Sequence, residues 1–494
     1  MVEDYMNSAD NNLDCTAKID ASCRVPLLAL FGGAALWLVI GLALSLLASL
    51  TFHAPEMFAG CPYATYGHLA PAANDLLVYG FAIPAGLGVM LWIFARLSHA
   101  ELVLPLVPVV AANLWHLGVF IGLATILCGG SSGFTWLEFP RAAAMLLGVS
   151  FVLIAISAVA TFGQRKEREL YPSHWFLLAA LLWFPWIYST ANLFIVTTWP
   201  VRGVTQAVIN WWFADNLLFV WLALVGVGVA FYFLPKIAGR PLHSRFYALL
   251  AFWTLILFGT WAGIPQGAPV PAWLPAASAF ASLLLAVPLF AIAVIVVKTV
   301  SGAKVVCKGG PFCHLKFGMT AFILSGLILI AQACPQYSRV LEFTWFGVAQ
   351  TQLQILGFFA VVICGAIYEI LPDTMGFALP FPKFVRLQHW LFILGIVLWA
   401  GSLAAGGVEQ GLKLANPQAA FADSTGVALM FLRASTTGLM FLLLGSLLFA
   451  ANIFVMTVKW KLALLKSVVA YAKSPLEDGP AAGSLQDRQG EVKP

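Results

Sequence analysis

Charge is what this chain has least of. Only 10% of its 494 residues are Asp, Glu, Lys or Arg, and 61% are hydrophobic. A water-soluble surface needs roughly a quarter of residues charged. The scarcity excludes a soluble globular protein, a disordered chain and a nucleic-acid binder. The eight cysteines form no CxxC and no CxxCH, so neither a thiolate zinc site nor covalent haem attachment is written here. The first 25 residues are polar, which is unlike a cleavable signal peptide. No internal repeat and no inserted soluble domain interrupts the apolar runs. What is abundant is apolar length, with a mean hydropathy of +0.91. The chain reads as an all-α, polytopic membrane protein.

A spanning helix needs about 20 predominantly apolar residues. About twelve such runs occur, at 27–51, 73–97, 103–127, 141–163, 173–199, 211–236, 246–263, 272–298, 315–334, 345–371, 387–406 and 425–458. The last is longer than one crossing needs and should tilt or project into water. Residues 1–26 read as a cytoplasmic segment, 27–460 as the membrane domain, and 461–494 as a cytoplasmic tail, disordered from about Ser474. Alternate loops collect the basic residues: Arg96, then Arg165, Lys166 and Arg168, then Lys236, Arg240 and Arg245, and so on to Lys459, Lys461 and Lys466. The opposite loops hold little beyond Arg141, Arg202, Arg339 and Lys413. The positive-inside rule places both termini in the cytoplasm.

That topology sorts the reactive residues. Cys61 and Cys128 fall outside, where an oxidising compartment permits a disulfide between them, while Cys15, Cys23, Cys307 and Cys313 fall inside as thiols. Of the eight histidines, His99, His174, His243, His314 and His389 lie at inner loop edges and His53 and His68 at the outer edge. Only His116 lies well inside a span. It has no second deep imidazole to pair with across a haem, and reads as a hydrogen-bonded core residue. Two acids, Asp215 and Glu369, fall within spans, where ionisable groups are costly. Glu369 lies near the inner edge and Asp215 about a turn inside the outer one. Asp215 reads as a protonated or Arg-paired interfacial acid ahead of a proton-carrying one.

Several motifs resemble the catalytic subunit I of cbb-type haem-copper cytochrome c oxidases. They include Phe231-Tyr-Phe-Leu-Pro235-Lys236 with Gly239-Arg240-Pro241, then Phe252-Trp253 and Trp261-Ala262-Gly263. Gly67-x-Leu69-x-Pro71, Glu138-x-Pro140, Leu356-Gly357-Phe358, His389-Trp390 and Glu409-Gln410-Gly411-Leu412 follow the same order. The resemblance runs over about residues 27–460 and implies a twelve-helix bundle. It also implies six histidine ligands to two haems and a copper. Aligned on the flanking motifs, the second-span haem position is Ala73. The tenth-span haem positions are Gln350 and Gln352. The copper positions are Asp215, Pro265 and Gln266. No histidine occurs anywhere in spans two, six or ten. The positions expected to hold haem propionates read His68 and Ala70, and the nitric oxide reductase branch needs the same histidines.

The resemblance therefore implies a cofactor-free relative, a membrane scaffold or anchor subunit of a respiratory electron-transfer complex. Its expected neighbours are membrane lipid, haem-carrying cytochrome c-like subunits and quinone. Vacated cavities would be filled by side chains, lipid or quinone, since voids cost stability. One alternative is an active haem b-dependent oxidoreductase with rebuilt ligation through His68 or His116. Another is a proton or small-solute transporter lined by Asp215, Gln266, Gln350 and Gln352. The simpler expectation for those four is that they satisfy one another in a packed core.

Overall fold

The computed structural model describes residues 2–473 apart from 198, 302, 304, 306 and 308. Among these, eleven helices are long and apolar enough to cross a membrane. They and one shorter helix run in chain order as α1 Cys15–Leu50, α2 Tyr66–Ser98, α3 Leu106–Leu127, α4 Arg141–Gly163, α5 Pro172–Val196, α6 Val204–Ala238, α7 Arg245–Gly259, α8 Trp273–Val300, α9 Pro311–Gln332, α10 Trp345–Met375, α11 Pro382–Leu414 and α12 Phe421–Val469. Twelve spans were expected. The difference is α7, which stops after 15 residues. The chain there meets Gly259, Gly263 (φ +94°), Pro265, Pro269 and Pro271, and prolines cannot continue a helical hydrogen-bond ladder.

Three helices form the interior. The most apolar stretches of α2, α6 and α10 are 100%, 89% and 89% buried by their neighbours, against 39–50% for the other long spans. Outer helices present large apolar side chains such as Leu106, Met145 and Phe454 outward, as a lipid-facing surface requires. Each interior helix also contains a widened π-helical turn: Leu76–Ala82 in α2, Asn216–Trp221 in α6 and Leu353–Ala360 in α10. Each turn begins within three residues of a position assigned to a ligand, namely Ala73, Asp215 and Gln352. Such turns concentrate at functional sites because they re-aim side chains locally.

The expected boundaries move at both ends. The first helix begins at Val2, and Ile19, Asp20 and Cys23 are buried in the bundle rather than lying outside it. Asp20 is drawn in by its partners. Arg96 donates to it through Nε (2.9 Å) and Nη2 (2.6 Å), and Trp92 Nε1 donates at 2.9 Å. Arg96 and Lys236 also reach Asp373 at 3.4 and 3.3 Å, tying α1, α2, α6 and α10 together at the basic end. At the other terminus the final helix continues to Lys473, so residues 461–473 are helical. The tail expected to be disordered from 474 lies outside the described residues.

Cysteine pairing differs from expectation. Cys61 and Cys128 are both free and exposed, each fixed in its own turn, with Cys61 N bonded to Phe58 O and Cys128 N to Ala124 O. Cys307 and Cys313 are bonded to each other instead, with Cα atoms 5.4 Å apart, where the chain turns at Gly309.

Candidate functional site

The positions assigned to copper and to both tenth-span haem ligands converge. Asp215, Pro265, Gln266, Gln350 and Gln352 all line one cavity of about 510 Å³ at the end of the bundle opposite the basic loops. Asn74, Trp136, Trp211, Glu342 and Phe343 complete its wall, and Phe343 lies exposed at its rim. The cavity is large enough for a drug-sized ligand.

Its polar groups do not neutralise one another, contrary to the packed-core expectation. Gln352 Nε2 donates to Asn74 Oδ1 at 3.1 Å, but Gln352 Oε1 has no partner among the described residues. Gln350 Nε2 and Asp215 Oδ2 are likewise unpartnered. Among the described residues no ion pair to Asp215 is found, and it packs directly on Gly263: a Cβ built there would lie 2.3 Å from the Asp215 Cβ. Gln266 faces elsewhere. Its Nε2 donates to Ala333 O at 2.6 Å, while Glu342 accepts from Gln266 N at 2.9 Å and Gly267 N at 3.2 Å.

The neighbouring second-span haem position is closed. Between Ala73 and Gln352 only about 70 Å³ is left, walled by Phe52, Tyr66, Trp345, Trp399 and Leu439. That is well below the roughly 300 Å³ at which ligand pockets begin. Ala73 has no side-chain donor and Pro265 none, and Gln266 is committed to backbone groups. The residues present do not fit haem iron or copper, which favour imidazole, thiolate or thioether donors.

The fallback ligands do not meet. Both ring nitrogens of His116 are engaged: Trp37 Nε1 donates to Nδ1 at 3.2 Å, and Nε2 donates to Ala29 O at 3.2 Å. His68 is half-buried and bonds Pro62 O through Nδ1 at 3.0 Å. His174, His314 and His389, expected at loop edges, are instead 3%, 1% and 5% exposed. Neighbouring helices cover them at the basic end, far from the cavity, with the His314 and His389 rings 4.7 Å apart. Glu369 is half-buried.

One pair escaped the sequence reading. Asp75 is fully buried in α2, and its carboxyl lies within hydrogen-bonding reach of Glu138 in the loop before α4, just behind the cavity wall at Asn74 and Trp136. Neither finds a cation, and Tyr79 beside them donates to Trp136 O at 2.5 Å. The signal was present, since Asp75 interrupts an apolar run two residues after Ala73. Burial pushes the Glu138 carboxyl up to about 7. Folding therefore favours its protonated form. That stability is fully present below the ordinary carboxylate range and is lost as pH rises from about 4.5 through 7. The apparent melting temperature of the purified protein should fall over that window, and the fall should shrink in Glu138→Gln. An unchanged slope would show that Glu138 does not hold the proton.

The bundle and its three interior π-turned helices define a haem-copper-oxidase subunit I-like membrane protein. A solved haem-copper terminal oxidase dimer has a chain that superposes with a TM-score of 0.71 at 15% identity, covering 88% of this chain and 84% of that one. The chain belongs to the cytochrome c and quinol oxidase polypeptide I family, whose sequence model matches residues 25–439. Similar proteins include a cbb3-type cytochrome c oxidase subunit of Stutzerimonas stutzeri, 24% identical over 85% of this chain and 90% of that one. Cytochrome c oxidase subunit 1 of Rhodobacter capsulatus is 25% identical over 86% of this chain and 83% of its own length.

Proposed function

We propose that this protein is a metal-free member of its family, acting as a membrane scaffold or anchor for haem-carrying subunits of a respiratory electron-transfer complex. The observation that carries the reading is the closed space between Ala73 and Gln352, about 70 Å³, at a position whose two residues offer no imidazole. Subunits of this family work with other redox subunits in membrane complexes, which supports a role in holding such subunits at the membrane. The loop charges favour an inner-membrane orientation with the basic end in the cytoplasm.

The test is a pyridine haemochrome spectrum with iron and copper analysis on the purified full chain. Less than a tenth of a haem per chain is expected, with co-purifying cytochrome detected only when the native membrane complex is isolated intact. Stoichiometric haem b in the isolated chain would overturn the proposal.

A further inference from the structure

The 510 Å³ cavity is acidic without compensation. Among the described residues, two carboxylates line it and no lysine, arginine or histidine does. Glu342 is held by two backbone N–H groups, so its charge is anchored at the rim. Asp215 is 6% exposed and lines the cavity, and among the described residues its Oδ2 has no partner. Gln352, 2% exposed, adds an unpartnered carbonyl oxygen. Aromatic faces complete the lining: Trp136, Trp211, Phe219 and Phe343.

A buried acid with no counter-charge is costly, and a bound cation would remove that cost. Aromatic rings attract cations through their quadrupoles, most strongly when water is excluded. Metal ions are poorly served, since no cluster of three or more His, Cys, Asp or Glu side chains with metal-binding placement occurs among the described residues. We infer that the cavity binds a small organic ammonium ion, its charge set against Asp215 and Glu342 and its apolar part against the aromatic wall. This inference rests on the metal-free reading, because the ligand occupies space that a family haem and copper would claim.

Calorimetric titration of the purified full chain with phenylethanolamine tests it. Neutral phenylethylene glycol provides a control of similar shape. Saturable binding of the amine is expected, at least tenfold tighter than the glycol. Asp215→Asn should weaken it about tenfold, and Trp211→Leu several-fold, while each variant keeps the parent's melting profile. Should Asp215→Asn not fold, the amine-to-glycol preference and the Trp211→Leu result still decide. Equal binding of amine and glycol, binding unaffected by both variants, or no amine binding at all would each overturn the inference. Haem content measured on the same sample separates the two ideas. A haem-free chain that ignores the amine sinks this inference alone, whereas stoichiometric haem sinks the reading beneath it.

Discussion

Replacing Gly438 with Val should separate α11 from α12 and cost stability at or beyond the upper end of the roughly 1–3 kcal/mol typical of overpacking. A Cβ built on Gly438 meets Trp399 N at 2.4 Å and Gly395 O at 2.6 Å. Both obstacles are backbone, so no side-chain rotation relieves the clash. Gly395 reciprocates across the interface, 3.0 Å from Gly438 O and 2.7 Å from Leu442. In lipid, such close backbone approach supplies much of the dispersion attraction between helices, because apolar side chains gain little by leaving an apolar solvent. The comparison should be made by thermal unfolding in one detergent, with Gly438→Ala falling between parent and Val. A Val variant that melts with the parent would mean that the helices do not approach this closely.

Arg96→Ala should be nearly as damaging for a different reason. Asp20 is 5% exposed, and Arg96 is its bidentate cation. Removing Arg96 leaves the Trp92 indole as the remaining donor to a buried carboxylate, and losing one partner of a buried pair costs about 3–5 kcal/mol. The loss spreads because Arg96 also reaches Asp373, which Lys236 shares. The double variant Asp20→Leu, Arg96→Leu removes both charges and should recover much of the stability. If it melts no higher than Arg96→Ala, the damage comes from lost packing over Trp92, where the guanidinium sits 4.9 Å from the ring centroid.

The membrane architecture was legible because it depends on apolar length, which sequence states directly. Helix α7 was overestimated because apolarity continues through 263 while Gly259, Gly263 and Pro265 end the helix sooner. That spans two, six and ten hold no histidine is read from the sequence directly. The pairing of the residues at the assigned positions is not. Whether Gln350 and Gln352 satisfy each other depends on rotamers and on the space between α2, α6 and α10, and that geometry left Gln350 Nε2 and Gln352 Oε1 buried without partners among the described residues. Burial at helix ends was hidden for the same kind of reason. His174, His314 and His389 lie near loops in sequence, yet neighbouring helices overhang them. Asp75 was missed because one acid in an apolar run is inconspicuous until Glu138 arrives from 63 positions away.

The π-helical turns carry a consequence for how the two ends of the molecule are phased. Each residue advances an α-helix by about 100°. If Leu353–Ala360 were wound as regular α-helix with no residue removed, everything beyond it would therefore rotate by about that angle relative to Gln350 and Gln352. Asp373, downstream on α10, would swing away from Arg96 and Lys236 while the cavity wall stayed in place. The widened turn thus acts as a rotational offset between an acidic chamber at one end of the bundle and a charge-locked basic end at the other.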